Sequence, residues 1–236
     1  RAMILAAGRG ERMRPLTDQL PKPLLSVGGQ PLIVHHIRKL QAAGVTQLVI
    51  NHAWLGDKLL AALGDGSALG VSIHWSAEGE SGLETAGGIR QALPLLGSEP
   101  FLVINGDIWL ACDYQAFVSQ SLDGVDGHLW LVDNPPQHPH GDFALEQGRV
   151  VDRPGLTFSG VALYRPELFA PMAEGKAALR PFFDEVAGQP FELTEQMDGA
   201  RGDAHLPLGR LFDHVEPHPQ RGRVPRGDRY LAIGEA

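Results

Sequence analysis

Cationic side chains follow a short apolar run near the start of the chain, in a segment interrupted by Gly8 and Gly10. Arg12 lies just beyond these glycines, and Lys22 follows between two prolines. A glycine-containing loop after a strand offers backbone N–H groups to phosphate oxygens, and arginine and lysine add charge-assisted hydrogen bonds. The segment therefore predicts a phosphate-binding loop, and a surface turn with solvated arginines is the alternative.

An acidic residue, Asp107, ends the apolar run FLVINGD. In α/β proteins, ligands bind beyond the carboxyl ends of parallel strands. Mg²⁺ typically takes one or two protein carboxylates together with phosphate oxygens. Asp107 is thus a candidate Mg²⁺ ligand. Taken alone it would be interpreted as a loop or helix-capping acid, but the cationic loop favours the metal role.

Two glycine-containing segments are candidate ligand contacts. In GLETAGGI, Gly87 and Gly88 form a predicted turn that would let a flat ring approach the backbone, and Glu84 could hydrogen-bond a base or ribose. The alternative is an ordinary helix N-terminus capped by Thr85. In LTFSGVALY, Gly160 interrupts an apolar strand and marks either a bulge or a close backbone approach to a ligand.

Histidine pairs do not indicate a metal site. His35 and His36 are adjacent on a predicted helix and therefore point apart. His138 and His140 lie in a proline-rich segment without a nearby cysteine. We expect solvated or core-edge histidines.

The composition excludes several classes of protein. The chain has 236 residues, 43% of them hydrophobic and 20% charged, which suits one large domain or one domain with an appendage. No apolar run approaches the roughly 18 residues of a membrane span, and we expect no signal peptide in the opening segment, because its apolar run is short. The single cysteine, Cys112, excludes a disulfide framework and favours a cytoplasmic setting. A net charge of −8 argues against nucleic-acid binding, so the cations should serve a small anion.

Apolar periodicity predicts strands that alternate with helices, hence a mostly parallel sheet covered on both faces. A hairpin and a strand entering a helix should follow the alternating part. Beyond about residue 187 the chain is rich in Arg, Gly, Pro and His, with no clean apolar period. The predicted elements are strands over 2–7, 45–53, 71–76, 100–107 and 127–134, helices over 30–44 and 55–63, a glycine turn and short helix over 85–96, a hairpin over 141–152, and a strand entering a helix over 156–169.

The strings ILAAGRGERMRPLT, PKPLL, GLETAGGI, VINGD and FSGVALYRPELF stand in the order typical of one family. Over about residues 2–183 the chain resembles the sugar-1-phosphate nucleotidyltransferases. The resemblance implies a Rossmann-like α/β fold: a mostly parallel mixed central sheet, flanking helices and a small sugar-binding β-hairpin region. It implies a nucleotidyltransferase domain over residues 1–186, which an atypical segment, 187–236, would complete. We expect a monomer.

The resemblance also implies an Mg²⁺-dependent reaction in which UTP and a sugar 1-phosphate give a UDP-sugar and pyrophosphate. The short length and the strings INHAWLG and LVDNP…GDF favour N-acetylmuramate α-1-phosphate as the sugar substrate, in peptidoglycan recycling. Alternatives are a mannose-1-phosphate guanylyltransferase, a glucose-1-phosphate uridylyl- or thymidylyltransferase, and a non-catalytic sugar-nucleotide-binding protein.

Site residues follow from the matching motifs. Arg12 should grip the nucleotide phosphates, Lys22 should lie beside the reacting phosphates, and Asp107 should be the metal carboxylate. The remaining expectations concern binding: Ala6, Ala7, Gly8, Gly10, Glu84, Gly87 and Asn105 on the nucleotide, and Asn105, Asp142, Ser159 and Gly160 on the acceptor sugar.

The chain departs from the family in its last part. The closing Gly-x-Trp-x-Asp-x-Gly-Thr segment, whose aspartate is the second metal ligand of the family, is absent. Asp213 in GRLFDHVEPHP is the nearest match, and Asp203 is a rival. One hypothesis is that this tail is divergent or arises from a shifted reading frame, which intact mass and resequencing would test.

Overall fold

A computed structural model describes residues 1–146 and 149–180, and the backbone of 193–194. Its centre is strand β1 (Ala2–Leu5), which pairs in parallel with β4 (Gln47–His52) and with β6 (Phe101–Asn105). Strand β5 (Ser72–Ala77) pairs in parallel with the far side of β4. These four strands form the parallel half of the sheet, as the apolar runs predict.

The other half of the sheet is mixed. Strand β9 (Arg149–Tyr164) lies antiparallel between β6 and β7 (Gly127–Val132). The order across the sheet is β10-β7-β9-β6-β1-β4-β5, where β10 is Leu193–Thr194. Strand β8 (Phe143–Glu146) pairs with β9 and forms the predicted hairpin. The mostly parallel mixed sheet and the hairpin are thus confirmed. Two short strands, β2 (Ser26–Val27) and β3 (Gln30–Pro31), form a separate ribbon.

The sheet is covered by the α-helices α1 (Leu32–Ala42), α2 (Gly56–Leu63), α3 (Glu84–Leu96) and α4 (Gln115–Val118). The predicted stop at the end of α1 is confirmed, because Gly44 has a φ of 82° that favours glycine. Beyond β9, a single 3-10 turn stands where a helix was expected, at Pro166–Leu168.

The expected glycine turn before α3 is wrong. Gly87 and Gly88 lie inside α3, which begins at Glu84. Both glycines are needed for packing: a Cβ on Gly87 would lie 2.2 Å from the carbonyl oxygen of Gly175, and one on Gly88 would lie 2.3 Å from Oε1 of Glu78. Close approach of the chain to itself therefore explains the glycine pair.

Two apolar clusters, one on each face of the sheet, form the core. Neighbouring residues of a strand point to opposite faces, so Met3 belongs to one cluster and Ile4 to the other. Within the described residues no helix is long and apolar enough to cross a membrane. One cluster includes Ile4, Ile50, Ile33, Ile37 and Leu40, and the other includes Met3, Val49, Val103, Ile89, Ala92 and Leu96.

Candidate active site

The site lies at the carboxyl ends of the neighbouring strands β1 and β6, from which the chain continues towards opposite edges of the sheet. From β1 the chain continues to β4 on one side, whereas β6 lies on the other side, so a crevice opens between their carboxyl ends. The N–H of Gly106 donates to the carbonyl oxygen of Leu5 at 2.8 Å, which joins the two strand ends. The segment after β1 and the segment that carries Asp107 therefore meet at one edge of the sheet.

The segment after β1, residues 6–25, is the opening loop. It contains three single-turn 3-10 helices and no α-helix, so its positive potential comes from side chains and not from a long helix dipole. Gly10 has a φ of 67°, and its carbonyl oxygen accepts hydrogen bonds from the Met13 N–H at 2.9 Å and the buried Thr17 hydroxyl at 2.7 Å. The loop is thus fixed by its own hydrogen bonds.

Trp54, from the loop between β4 and α2, braces the opening loop from outside. Its indole N–H donates to the carbonyl oxygen of Thr17 at 3.2 Å. The guanidinium carbon of Arg9 lies 4.4 Å from the centroid of the Trp54 ring, a distance that favours a cation–π contact. The string INHAWLG therefore contributes to the shape of the opening loop.

Lys22 and Asp107 form an ion pair, with Nζ 3.0 Å from Oδ2. The Lys22 side chain is 9% exposed and that of Asp107 is 27% exposed. Burial lowers the pKa of Lys22 below its ordinary value, Asp107 opposes that shift, and the positive charge of Arg12 adds to it. The predicted catalytic residues are thus brought together: Arg12 lies close enough to act on Lys22 electrostatically, and Lys22 contacts Asp107.

Helix α1 holds the loop that follows Asp107. The buried His36 bonds through Nε2 to the carbonyl oxygen of Ile108 at 2.9 Å and through Nδ1 to the hydroxyl of Tyr114 at 2.6 Å. Burial lowers the pKa of His36 to about 4, so the ring is neutral: Nε2–H donates to the carbonyl and Nδ1 accepts from the hydroxyl. Lys39 donates to the carbonyl oxygens of Leu110 and Cys112. The adjacent His35 bonds Val27 and Gln30 instead, which confirms that the two histidines point apart.

The predicted base-binding residues lie at the start of α3. Glu84 has a φ of 60°, unusual for a residue with a side chain, and its carboxylate lies 3.1 Å from Nζ of Lys176. The N–H of Gly87 donates to the carbonyl oxygen of Ala177 at 3.0 Å. The close backbone approach at Gly87 is therefore to the chain itself, and base binding by Glu84 and Gly87 stays a prediction.

Gly160 brings β9 against the end of β6. Leu129 of β7 pairs with Ala162 of β9, but Leu131 pairs with Phe158, so β9 has extra residues between these pairs. Gly160 lies among them, which confirms the bulge interpretation. A Cβ on Gly160, whose φ is 85°, would lie 3.0 Å from Nδ2 of Asn105. The Ser159 hydroxyl accepts from the Val161 N–H at 3.3 Å. Asn105, Ser159 and Gly160 thus lie together beside the Asp107 segment.

Asp142 is bound within the β8–β9 hairpin region. Its Oδ2 accepts from the Phe158 N–H at 2.8 Å, and its Oδ1 lies 3.0 Å from Nε2 of His138. These contacts fix the loop before β8 to β9. A carboxylate oxygen can accept more than one hydrogen bond, so sugar binding by Asp142 is chemically compatible with them and stays a prediction.

Two buried polar residues near the opening loop were not predicted. Asn51 is the penultimate residue of β4, and its Oδ1 accepts from the Ala6 N–H at 2.7 Å. Glu78 follows β5 and accepts from the Asn51 side chain at 2.6 Å. The Ala6 N–H is therefore bonded inside the protein, whereas Ala7 and Gly8 lie further out. One sequence signal could have indicated Asn51: the Ile50-Asn51 pair near the end of β4 has the same residue types as Ile104-Asn105 at the end of β6.

Metal binding by Asp107 stays a prediction. Over residues 1–146 and 149–180 no group of three or more His, Cys, Asp and Glu side chains could hold a metal ion by itself. Mg²⁺ bound through one carboxylate and substrate phosphates does not need such a group. Asp203 and Asp213, the candidates for a second carboxylate, lie outside the described residues.

Comparison with known proteins agrees with this geometry. A family model described as nucleotidyl transferase matches residues 1–143. An N-acetylmuramate alpha-1-phosphate uridylyltransferase of Neisseria meningitidis serogroup B is 57% identical over 187 residues, 75% of this chain and 80% of that protein. A protein of the same name from Caulobacter vibrioides is 36% identical over 203 residues, 79% of this chain and 84% of that protein.

Solved structures show the same fold at low sequence identity. HddC from Yersinia pseudotuberculosis superposes with a TM-score of 0.69 at 22% identity, over 83% of this chain and 88% of that chain. The same protein complexed with GMP-PN gives a TM-score of 0.68 at 21% identity, over 83% and 89%. These matches confirm the Rossmann-like nucleotidyltransferase fold. The family model and the two uridylyltransferases, matched over most of their length, confirm the resemblance drawn from the motifs: the chain belongs to the nucleotidyl transferase family.

Proposed function

We propose that this chain transfers a uridylyl group from UTP to N-acetylmuramate α-1-phosphate and releases pyrophosphate. The observation that carries nucleotidyl transfer at this site is the Lys22–Asp107 pair, 3.0 Å apart at the crevice beyond β1 and β6. The names of the uridylyltransferases from Neisseria meningitidis and Caulobacter vibrioides support the choice of base and sugar. Such a role in peptidoglycan recycling would place the enzyme in the cytoplasm, and we propose that it acts as a monomer.

The reaction requires positioning and charge stabilisation more than covalent chemistry by the protein. An oxygen of the sugar phosphate attacks the α-phosphorus of UTP, and the bond from that phosphorus to the β-phosphate oxygen breaks. Pyrophosphate leaves with the electron pair. Lys22, nearly buried, would neutralise charge that accumulates at the α-phosphate, and Arg12 would hold the departing phosphates. A buried cation is effective here because water screens it little.

The donor set of the site fits Mg²⁺. The Asp107 carboxylate is partly exposed and would hold the ion together with phosphate oxygens of UTP. When bound, Mg²⁺ would neutralise phosphate charge. We propose that a second carboxylate comes from the tail, with Asp213 favoured over Asp203. A severe loss of turnover in Asp213→Ala would support that choice, and an unchanged rate would redirect it to Asp203.

The decisive experiment is a pyrophosphate-release assay with each nucleoside triphosphate and a panel of sugar 1-phosphates in the presence of Mg²⁺. We expect UTP with N-acetylmuramate α-1-phosphate to have the highest kcat/KM. A higher value with GTP and mannose 1-phosphate, or with glucose 1-phosphate, would replace the proposed substrates. Binding of UTP or a UDP-sugar without turnover of any pair would identify a non-catalytic sugar-nucleotide-binding protein.

A further inference from the structure

We propose that Asn51 and Glu78 are positioning residues for the nucleotide, acting through a buried hydrogen-bond relay between the opening loop and the segment that enters α3. The inference deepens the proposed function, since it assumes that the crevice binds a nucleoside triphosphate. Neither residue needs to touch the nucleotide. The relay would set the spacing of the two segments predicted to hold its phosphates and its base.

The relay consists of three hydrogen bonds in series. The Ala6 N–H donates to Oδ1 of Asn51 at 2.7 Å, and Nδ2 of Asn51 donates to Oε1 of Glu78 at 2.6 Å. The N–H of Leu83 then donates to Oε2 of Glu78 at 2.7 Å. Asn51 is 2% exposed and Glu78 is 7% exposed. The relay joins segments that are more than 70 positions apart in the chain, since Ala6 and Leu83 are its ends.

Donors and acceptors match at every step of the relay. The Asn51 amide accepts on one side and donates on the other, and the Glu78 carboxylate accepts from both of its neighbours. Burial raises the pKa of Glu78, and its hydrogen bonds to Asn51 and Leu83 oppose that shift. A buried carboxylate is costly, and α3 makes room for it: a Cβ on Gly88 would lie 2.3 Å from Oε1. A glycine inside α3, Gly88, thus leaves the space that the Glu78 carboxylate occupies.

The two segments also meet directly next to the relay. Gly82 has a φ of 65°, and a Cβ placed on it would lie 3.9 Å from the carbonyl oxygen of Ala7 and 3.8 Å from Oε2 of Glu78. Ala7 lies in the opening loop, and Gly82 precedes Glu84, the candidate base contact. A shift of Asn51 or Glu78 would therefore change the distance between these segments. The hairpin region at Asp142 takes no part in the relay.

A reciprocal exchange of the two side chains tests the relay. Asn51→Asp places a second carboxylate against that of Glu78. Glu78→Gln introduces an amide NH₂, which must face either the Asn51 NH₂ or the Leu83 N–H, both of them donors. Each single variant therefore breaks at least one hydrogen bond. The double variant Asn51→Asp/Glu78→Gln restores all three, because the amide introduced at position 78 would donate to the new carboxylate and accept from the Leu83 N–H. The exchange keeps the size of both side chains.

Affinity for UTP is measured by titration calorimetry, together with kcat and the KM for each substrate. We expect each single variant to weaken UTP binding about ten-fold, the effect of one missing buried hydrogen bond. The KM for the sugar phosphate should change less than about two-fold in the same variants, since the relay joins segments on the nucleotide side of the crevice. The double variant should bind UTP within about two-fold of wild type. In Asn51→Asp, UTP binding should improve as the pH falls, because the facing carboxylates can then share a proton.

Each outcome distinguishes the relay from the proposed function. Wild-type protein that binds no nucleoside triphosphate would refute the proposed function. Wild-type protein that binds UTP, with single variants that bind it equally well, would overturn the relay. Lower melting temperatures with unchanged UTP affinity would also overturn it, as they indicate a purely structural role. If the single variants do not fold, Glu78→Asp provides the test: it keeps the buried charge, but a side chain shorter by one methylene cannot accept from both Asn51 and Leu83. Weakened UTP binding supports the relay, and wild-type binding contradicts it.

Discussion

Lys22 Nζ lies 3.0 Å from Asp107 Oδ2 although the two residues are 85 positions apart in the chain. The pair joins the opening loop to the end of β6, and the lysine is much the more buried partner, 9% exposed against 27%. A cation held in this way is positioned before any substrate arrives. Loss of either charge should lower activity, but the two losses should lower the free energy of unfolding by different amounts, because the two side chains differ in burial. Activity and stability can therefore be tested separately.

Removal of either charge should abolish most turnover. In Lys22→Ala and Asp107→Ala we expect kcat to fall by roughly 10²–10⁴-fold, because both groups act mainly where charge develops in the transition state. Pyrophosphate release under saturating substrates and Mg²⁺ measures the loss. The exposed pair Arg180–Asp152, with an N···O distance of 2.9 Å, provides the matched control, and Arg180→Ala should retain activity. Near-wild-type turnover in either active-site variant would contradict the assignment.

Stability should respond unequally to the same two substitutions. Asp107→Ala leaves the Lys22 ammonium buried without its counter-charge, whereas Lys22→Ala leaves a carboxylate that water can partly reach. We expect Asp107→Ala to lower the free energy of unfolding by about 2 kcal/mol more than Lys22→Ala does. Urea denaturation at pH 7 measures both. Equal losses would show that water reaches Lys22 as readily as Asp107.

The lowered pKa of Lys22 predicts an alkaline limit to activity. Burial makes Lys22 lose its proton at a lower pH than an ordinary lysine, whose pKa is 10.5, and a neutral amine no longer stabilises phosphate charge. The kcat/KM profile should therefore decline on the alkaline side at a pH below 10.5, since kcat/KM reports ionisations of the free enzyme and of the free substrates. Lys22→Arg stays charged at these pH values, so its slower reaction should lack this decline. The same alkaline decline in Lys22→Arg would assign the titration to another group, such as the uracil ring.

Much of the fold was predictable because parallel strands buried on both faces give continuous apolar runs. The runs that end at Asn51 and Asn105 are of this kind, and the acid after the second run marks the crevice. Local motifs also placed Lys22 and Asp107 in one site, since both follow strands that turned out to be adjacent. Such patterns therefore predict at which end of its strand a side chain lies.

The partners of buried polar groups were not predictable, because they depend on which segments fold together. Glu78 reads as an ordinary loop acid, and only the fold shows that Gly88 makes room for its carboxylate. The turn predicted at Gly87 was wrong for the same reason: the backbone that approaches this glycine comes from Gly175, 88 positions later. Sequence indicates that a glycine is needed, and the fold indicates what approaches it.

Gly10 should be required for both conformation and packing. Its φ of 67° disfavours alanine, and a Cβ would lie 2.9 Å from Cγ2 of Thr17 and 3.4 Å from Cβ of Lys22. Gly29 is a matched control, with a φ of 84° and no atom within 4 Å of an added Cβ. We expect Gly29→Ala to cost about 1 kcal/mol of stability and leave kcat unchanged. Gly10→Ala should cost more and also lower kcat, as measured by urea denaturation and pyrophosphate release. Equal effects of the two substitutions would show that the close packing of Gly10 against Thr17 and Lys22 is unimportant.

The buried His36 should make the protein sensitive to mild acid. Its pKa in the folded state is about 4, against 6.5 for an ordinary histidine, so between these values the unfolded chain binds a proton that the folded chain does not. The free energy of unfolding should therefore be highest above pH 6.5 and fall as the pH drops from 6.5 to 4, by up to about 3 kcal/mol from this residue. Urea denaturation at several pH values measures the slope.

His36→Gln isolates this contribution, because glutamine can hydrogen-bond to Ile108 or Tyr114 but does not titrate. At pH 7.5 the variant should be less stable than wild type, since one side chain no longer satisfies both partners. Below pH 6.5 wild type should lose stability faster, so the difference between the two proteins should shrink towards pH 4. Other titrating groups, Glu78 among them, contribute to both proteins and cancel in that difference. A difference that stays constant from pH 7.5 to pH 4 would mean that the folded protein accommodates a protonated His36, and that α1 holds the Asp107 loop less rigidly than its two hydrogen bonds indicate.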